Sequence, residues 1–279
     1  MVNILASILL GLVQGISEWL PISSKTQVLF ASYALFGLPI AAGYAFGLFL
    51  EIGSLGSAIT YFRRDIVALF HDRRLLVYLV VVTIFTGIIG APLFYLTDLY
   101  LTHTSPFIGL PMIALGVVLL LVGFYIRYSR ALPKISGLEQ MKIKHYIIVG
   151  IAQGIAALPG VSRSGMTVST MLVMGVKQEQ AFRLSYLAYI PASLGAFAAS
   201  LFLSRHEVNS DIQAVTPLGL VIAILTALLI GLVTISYLLK FAKTKNIWVL
   251  DIALGLIALA LGIVFTIFYY VIPGSASIS

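Results

Sequence analysis

Long apolar runs separated by short polar loops set the pattern of this chain. Six runs are long enough to cross a bilayer: 40–62, 75–97, 107–126, 184–203, 217–239 and 247–272. A helix rises 1.5 Å per residue, so about 20 residues match the roughly 30 Å hydrocarbon core. The pattern predicts a membrane-crossing helix in each run. Two other regions are apolar but interrupted. In 146–176 an apolar arm ends at Leu158, the turn-rich stretch Pro159 to Gly165 follows, and a second arm ends at Val176. Each arm has about 12 residues, roughly 18 Å of helix, and neither crosses. The region 1–37 has the same plan, with an arm to Leu20, a polar stretch from Pro21 to Thr26, and an arm to Gly37. Its first arm is long enough to span alone, its second is not. Irregular backbone at membrane depth is tolerated only where protein or water satisfies it. Both regions are therefore expected to be re-entrant helical hairpins with polar tips reaching inward.

The two interrupted regions repeat each other. Gly11, Gln14, Gly15 and Ile16 recur as Gly150, Gln153, Gly154 and Ile155. After a one-residue slip, Leu20 and Pro21 recur as Leu158 and Pro159, and Ser24 and Lys25 as Ser162 and Arg163. The chain thus reads as one all-α polytopic membrane domain over 1–279. It holds two repeats, 1–126 and 146–272, each a hairpin (1–37 or 146–176) plus three crossings. An odd number of crossings inverts the second copy. Charge gives an independent check. Most of the 17 basic residues lie in four loops: Arg63 to Arg74, Arg127 to Lys144, Lys177 to Arg183, and Lys240 to Lys245. All four fall on one side in the six-crossing arrangement, and the positive-inside rule makes that side cytoplasmic. Both termini then face out, and the two tips meet near the midplane, where inverted repeats place binding sites.

Composition agrees. Charged residues make up 10% of the chain and hydrophobic residues 60%, against about 25% charged in soluble domains. The first twenty residues lack a basic flank and a small-residue cleavage site, and are expected to be mature structure. Cysteine is absent, which excludes disulfides and thiolate chemistry. The net charge of +7 follows from cytoplasmic loops and implies no nucleic-acid partner.

Of the basic residues outside those loops, Lys25 and Arg163 sit at the two tips and Arg205 does not. A cation at the bilayer centre costs about 2.5–3.5 kcal/mol on insertion scales, so it marks a site. Around the two cations stand Ser23, Ser24, Thr26, Ser162, Ser164 and Thr167. Hydroxyls, a helix N-terminus after each tip and two cations form an anion cradle suited to phosphate. Glu18 lies one turn before the first tip and Gln14 one turn earlier, on one helix face. A carboxylate beside bound phosphate needs a metal or a proton, so Glu18 reads as a divalent-metal ligand or a general base. Glu51 is a second intramembrane acid that can share that role or serve packing. Asp251 opens the last crossing as an interfacial first-turn acid. His71, His103, His145 and His206 fall in loops as surface residues, and Gln153 bridges the hairpins.

The stretch Gln14 to Ser24, with Pro159 to Thr167, resembles the undecaprenyl-diphosphate phosphatase, or bacitracin-resistance, family over the whole chain in length, repeat plan and motif order. The resemblance implies an enzyme that cleaves the terminal phosphate from a polyprenyl diphosphate on the outer face of the cell membrane. A divalent cation, Mg2+ or Ca2+, is the implied cofactor. It implies functional roles for Glu18, Ser24 and Arg163; the attacking group is either Ser24 or a water that Glu18 activates, in which case Ser24 only donates a hydrogen bond to phosphate. The remaining phosphate-binding candidates are Ser23, Lys25, Thr26, Gln27, Ser162, Ser164, Thr167 and Gln14, and the metal-ligand candidates are Glu18 and Glu51. Membrane lipids and a second copy of the chain, as a homodimer, are the other partners compatible with it. Three positions depart from the common pattern: Gln27 replaces a histidine, Lys25 adds a charge, and Glu51 stands where glutamine is usual. A carrier that moves a polyprenyl phosphate without cleaving it is the alternative function.

Overall fold

The computed structural model describes residues 4–37, 40–101, 109–128, 135–158, 160–203, 216–244 and 247–271. Pro159, His103, Arg205 and His206 lie outside the described residues. The regular elements among them are helical. They are α1 (Ile4–Ser17), α2 (Ser24–Phe36), α3 (Ile40–Tyr61), α4 (Arg63–Ala68), α5 (Arg73–Leu101), α6 (Gly109–Tyr128), α7 (Ile143–Ile155), α8 (Arg163–Val173), α9 (Gln178–Leu203), α10 (Pro217–Phe241) and α11 (Ile247–Val271).

Four segments are long and apolar enough to cross a membrane: Arg73–Leu96, Gly109–Arg127, Pro217–Phe241 and Trp248–Ile267. The chain is a multi-pass membrane protein. Helices α3 and α9 also occupy expected crossings, but each carries internal charge: Glu51 in α3, and Glu179 and Arg183 in α9. Arms α1, α2, α7 and α8 have 14, 13, 13 and 11 residues. At 1.5 Å per residue the longest is only about 21 Å. In the first arm α1 ends at Ser17, so the turn begins before the proline.

Two compact units make up the chain. The first holds Met1–Leu20, Ser24–Arg73 and Tyr186–Leu239. In it α1, α2 and α3 pack together around Leu10, Val28, Ala31, Phe46 and Leu50, with Ala223 of α10 closing the cluster. Small residues let the backbones approach. A Cβ added at Gly11 would stand 2.5 Å from the Ala223 carbonyl oxygen, and one at Gly15 would stand 2.9 Å from that of Ala227. Transmembrane helices associate through such close packing because lipid offers no hydrophobic drive between them.

The second unit holds Pro21–Ser23, Arg74–Ser185 and Lys240–Ser279. Here α7 uses its own glycine pair on α5. A Cβ at Gly150 would meet Phe85 Cβ at 2.7 Å, and one at Gly154 would meet Ile89 Cβ at 2.7 Å. Helices α6 and α11 pack along Gly109, Gly116 and Gly123 against Gly255 and Gly262. Asp251 is the fifth residue of α11 and is 2% exposed, beside Gly123 of α6. That corrects the interfacial reading of this acid: its Oδ2 is buried and has no hydrogen-bond partner among the described residues. Gln153 donates from Nε2 to Thr86 Oγ1 of α5 at 3.1 Å, so it ties its arm to a neighbouring helix. Apolar side chains such as Leu121, Leu229 and Val233 remain exposed, as a lipid-facing surface requires.

Candidate active site

The first tip is built from the end of α1. Backbone N–H of Glu18 still bonds to the Gln14 carbonyl at 3.0 Å, so the helical ladder runs one residue past α1. That stacks the two side chains. Gln14 Nε2 donates to Glu18 Oε2 at 2.8 Å and to Ser54 Oγ of α3 at 3.1 Å. The chain then turns through Pro21 and Ile22. Ser23 adopts φ +57, a left-handed conformation that is unusual without glycine. It reverses the backbone and starts α2 at Ser24, whose hydroxyl donates to Glu18 Oε2 at 2.5 Å. One carboxylate oxygen therefore accepts from both Gln14 and Ser24. Glu18 and Ser24 are each 7% exposed.

Three aromatic rings fix this turn from within the first unit. The Tyr186 hydroxyl donates to the Trp19 carbonyl at 2.8 Å. The Trp19 ring meets Tyr186 and Tyr189 edge-on at 5.0 and 5.2 Å. The sequence pattern did not single out these tyrosines or Ser54. The available signal was a tyrosine well inside an apolar run, since a buried phenol needs a partner for its hydroxyl. Lys25 follows Ser24, and its Nζ lies 3.2 Å from Glu51 Oε1. Thr26 is buried and Gln27 half-buried.

In the second unit, Gly160 takes φ +82 and the chain re-enters helix at Arg163. Ser162 caps α8 by accepting from the Gly165 N–H at 3.2 Å, and its hydroxyl lies 3.1 Å from that of Ser164. Thr167 Oγ1 donates to the Arg163 carbonyl at 2.9 Å and lies 2.6 Å from Ser185 Oγ. Arg163 itself is half-buried. Pro21 belongs to this unit, and its Cβ lies 3.1 Å from where a Cβ on Gly165 would stand. Pro21 thus packs on the first turn of α8 within the second unit. His145 lies in the first turn of α7 and not in a loop, where its Nδ1 accepts from the Lys142 N–H at 2.8 Å. Burial, then Lys144 and Lys142, push its imidazole below the usual value, which favours the neutral ring.

Among the described residues no group of three His, Cys, Asp or Glu side chains is placed to hold a metal ion. The first tip nonetheless supplies oxygen donors. Gln14 Oε1, on the amide whose Nε2 bonds Glu18, is buried with no hydrogen-bond partner among the described residues. One carboxylate with neighbouring oxygens and a substrate phosphate is the usual setting for Mg2+. Glu51, the other candidate ligand, has its Oε1 on Lys25.

Comparison with known proteins agrees with the motifs. The family described as bacitracin resistance protein BacA matches residues 7–263. An undecaprenyl-diphosphatase of Sulfurisphaera tokodaii is 52% identical over 262 residues, 94% of this chain and 98% of that protein. One of Saccharolobus islandicus is 53% identical over 257 residues, 92% and 96% of the two chains. One of Pyrobaculum aerophilum is 38% identical over 269 residues, 93% and 97%. The chain belongs to the bacitracin resistance protein family.

Proposed function

We propose that this protein is an integral-membrane phosphatase that hydrolyses a polyprenyl diphosphate, as its undecaprenyl-diphosphatase relatives are named to do. The products are the polyprenyl monophosphate and inorganic phosphate. The observation that carries the reading is the Ser24 hydroxyl on the Glu18 carboxylate at 2.5 Å, inside the stretch that the bacitracin resistance family matches. A serine hydroxyl is a weak nucleophile until an adjacent base takes its proton.

In the reaction, Glu18 accepts the Ser24 proton while Ser24 Oγ attacks the terminal phosphorus. The anhydride P–O bond breaks and the polyprenyl monophosphate leaves. Water then attacks the phosphoserine while Glu18 returns its proton to Ser24 Oγ, which restores Ser24 and releases phosphate carrying the water's oxygen and protons. Gln14 holds the Glu18 carboxylate in place through the Nε2 bond. Arg163 binds phosphate oxygens with its planar fork, which suits them better than an ammonium. Lys25, Ser23, Thr26, Gln27, Ser162, Ser164 and Thr167 complete the phosphate-binding set, with the packing of Pro21 on Gly165 as support. A divalent cation, Mg2+ or Ca2+, would be held by Glu18 and Gln14 Oε1, and would neutralise charge on the phosphate oxygens. Most of the rate comes from positioning and charge stabilisation, as in other phosphoryl transfers.

The finer architecture belongs to the same proposal. It has six crossings, two re-entrant hairpins and inverted repeats, with both termini and the site's opening outside. The paired use of small residues by α1 on α10 and by α7 on α5 supports it. The prenyl tail then stays among lipids while the headgroup enters. The deciding experiment is phosphate release from C55 diphosphate by the purified protein in detergent, with and without Mg2+ or Ca2+. Release that depends on the cation is expected. Headgroup binding with no release would overturn the enzyme reading and favour a carrier.

A further inference from the structure

The first turn of α2 holds a cation where a helix disfavours one. Lys25 is its second residue, at the end where free N–H groups make the local charge positive. An acid on α3 answers it: Glu51 Oε1 stands 3.2 Å from Lys25 Nζ. The two helices touch directly here, because a Cβ on Gly47, one turn before Glu51, would lie 3.9 Å from Lys25 Cα. The acid is the better fixed partner. Its side chain is 12% exposed against 32% for the lysine, and its backbone carbonyl accepts from the Tyr189 hydroxyl at 3.4 Å. Tyr189 in turn packs edge-on to Trp19, the residue after Glu18. An ion pair this accessible adds little to stability. A cation that sits beside Ser24, against the helix's own field, gains most when an anion arrives.

We propose that Glu51 is a positioning residue that holds Lys25 in reserve, and that an incoming diphosphate headgroup takes the ammonium from it. The proposal rests on the phosphatase reading above. A diphosphate carries more charge than the phosphate product, so it competes better with Glu51 for Lys25. The pair thereby sharpens binding toward substrate and keeps the product from lingering.

The test is a double-mutant cycle on the full chain in detergent, read as phosphate release from C55 diphosphate. Glu51→Gln, which keeps the shape, should lower the inhibition constant of inorganic phosphate by roughly 10-fold and KM by a smaller factor, about 3-fold. Lys25→Met should raise KM by about 10-fold, and in that background Glu51→Gln should change nothing. Lys25→Arg keeps the charge and should preserve the effect of Glu51→Gln. Calorimetric binding of inorganic pyrophosphate runs the same cycle without turnover. A wild type that binds pyrophosphate but releases no phosphate overturns the phosphatase reading alone. Additive effects in the double variant, or an unchanged KM in Glu51→Gln, would overturn the proposal. So would a raised divalent-cation requirement in Glu51→Gln, which would make Glu51 a metal ligand.

Discussion

The two tips share a scaffold and differ in chemistry. Each follows a short arm with a Gly-x-x-Gln-Gly stretch, each reverses through a residue with positive φ, and each starts a helix with a hydroxyl beside a cation. Yet the position four residues after the glutamine is Glu18 in the first and Ala157 in the second. Gln14 therefore spends its amide on a carboxylate, whereas Gln153 bonds Thr86 of α5. The reversal differs too: Ser23 carries the unusual conformation in one and Gly160 in the other. On the proposed function, this difference gives the first tip the proton transfer and leaves the second to bind phosphate oxygens through Arg163.

The largest effect should come from removing that asymmetry. Glu18→Gln should lower kcat by about 10²- to 10⁴-fold, the usual worth of a general base. Adding Ala157→Glu should restore nothing, because the matching hydroxyl, Ser162, caps α8 by accepting from the Gly165 N–H. Recovery of phosphate release in the double variant would show that the tips are interchangeable. A smaller effect tests the other tip. Arg163→Lys keeps the charge but loses the planar fork, and kcat/KM should fall by roughly 10-fold or more.

The shared frame predicts matched effects in place of contrasted ones. Gly11→Leu and Gly150→Leu each force atoms into a helix contact already at 2.5 and 2.7 Å for a bare Cβ. Overpacking of this kind costs about 1–3 kcal/mol, so both variants should lower the thermal unfolding midpoint in detergent to a similar extent. A loss in only one would show that the arms are not held alike. The mildest change is Ser162→Ala. Loss of the α8 cap should cost about 1 kcal/mol, read as a small drop in the same midpoint.

Much of this comparison was legible in the sequence. The arms, both tips and their hydroxyl and cation content follow from interrupted apolar runs and an internal repeat, which are local signals. The four clearest crossings follow from length and apolarity for the same reason. What the pattern missed depends on partners distant along the chain. Tyr186 reaches Trp19, Tyr189 reaches Glu51, and Ser54 reaches Gln14, and no periodicity reports such pairs. The short helix α4 lay hidden in a charged loop. Asp251 was read from its place at a helix start, while its burial depends on the glycine that faces it. Lys25 and Glu51, read separately in the sequence, lie 3.2 Å apart.

The central claim is that Glu18 and Ser24 of the first tip and Arg163 of the second serve one phosphoryl transfer. Single-turnover phosphate release from C55 diphosphate tests it, with wild type, Ser24→Ala and Arg163→Ala compared at saturating and limiting protein. The account predicts that Ser24→Ala binds the lipid but releases almost no phosphate. Arg163→Ala should lose both binding and release. Release at the wild-type rate by either variant would contradict it.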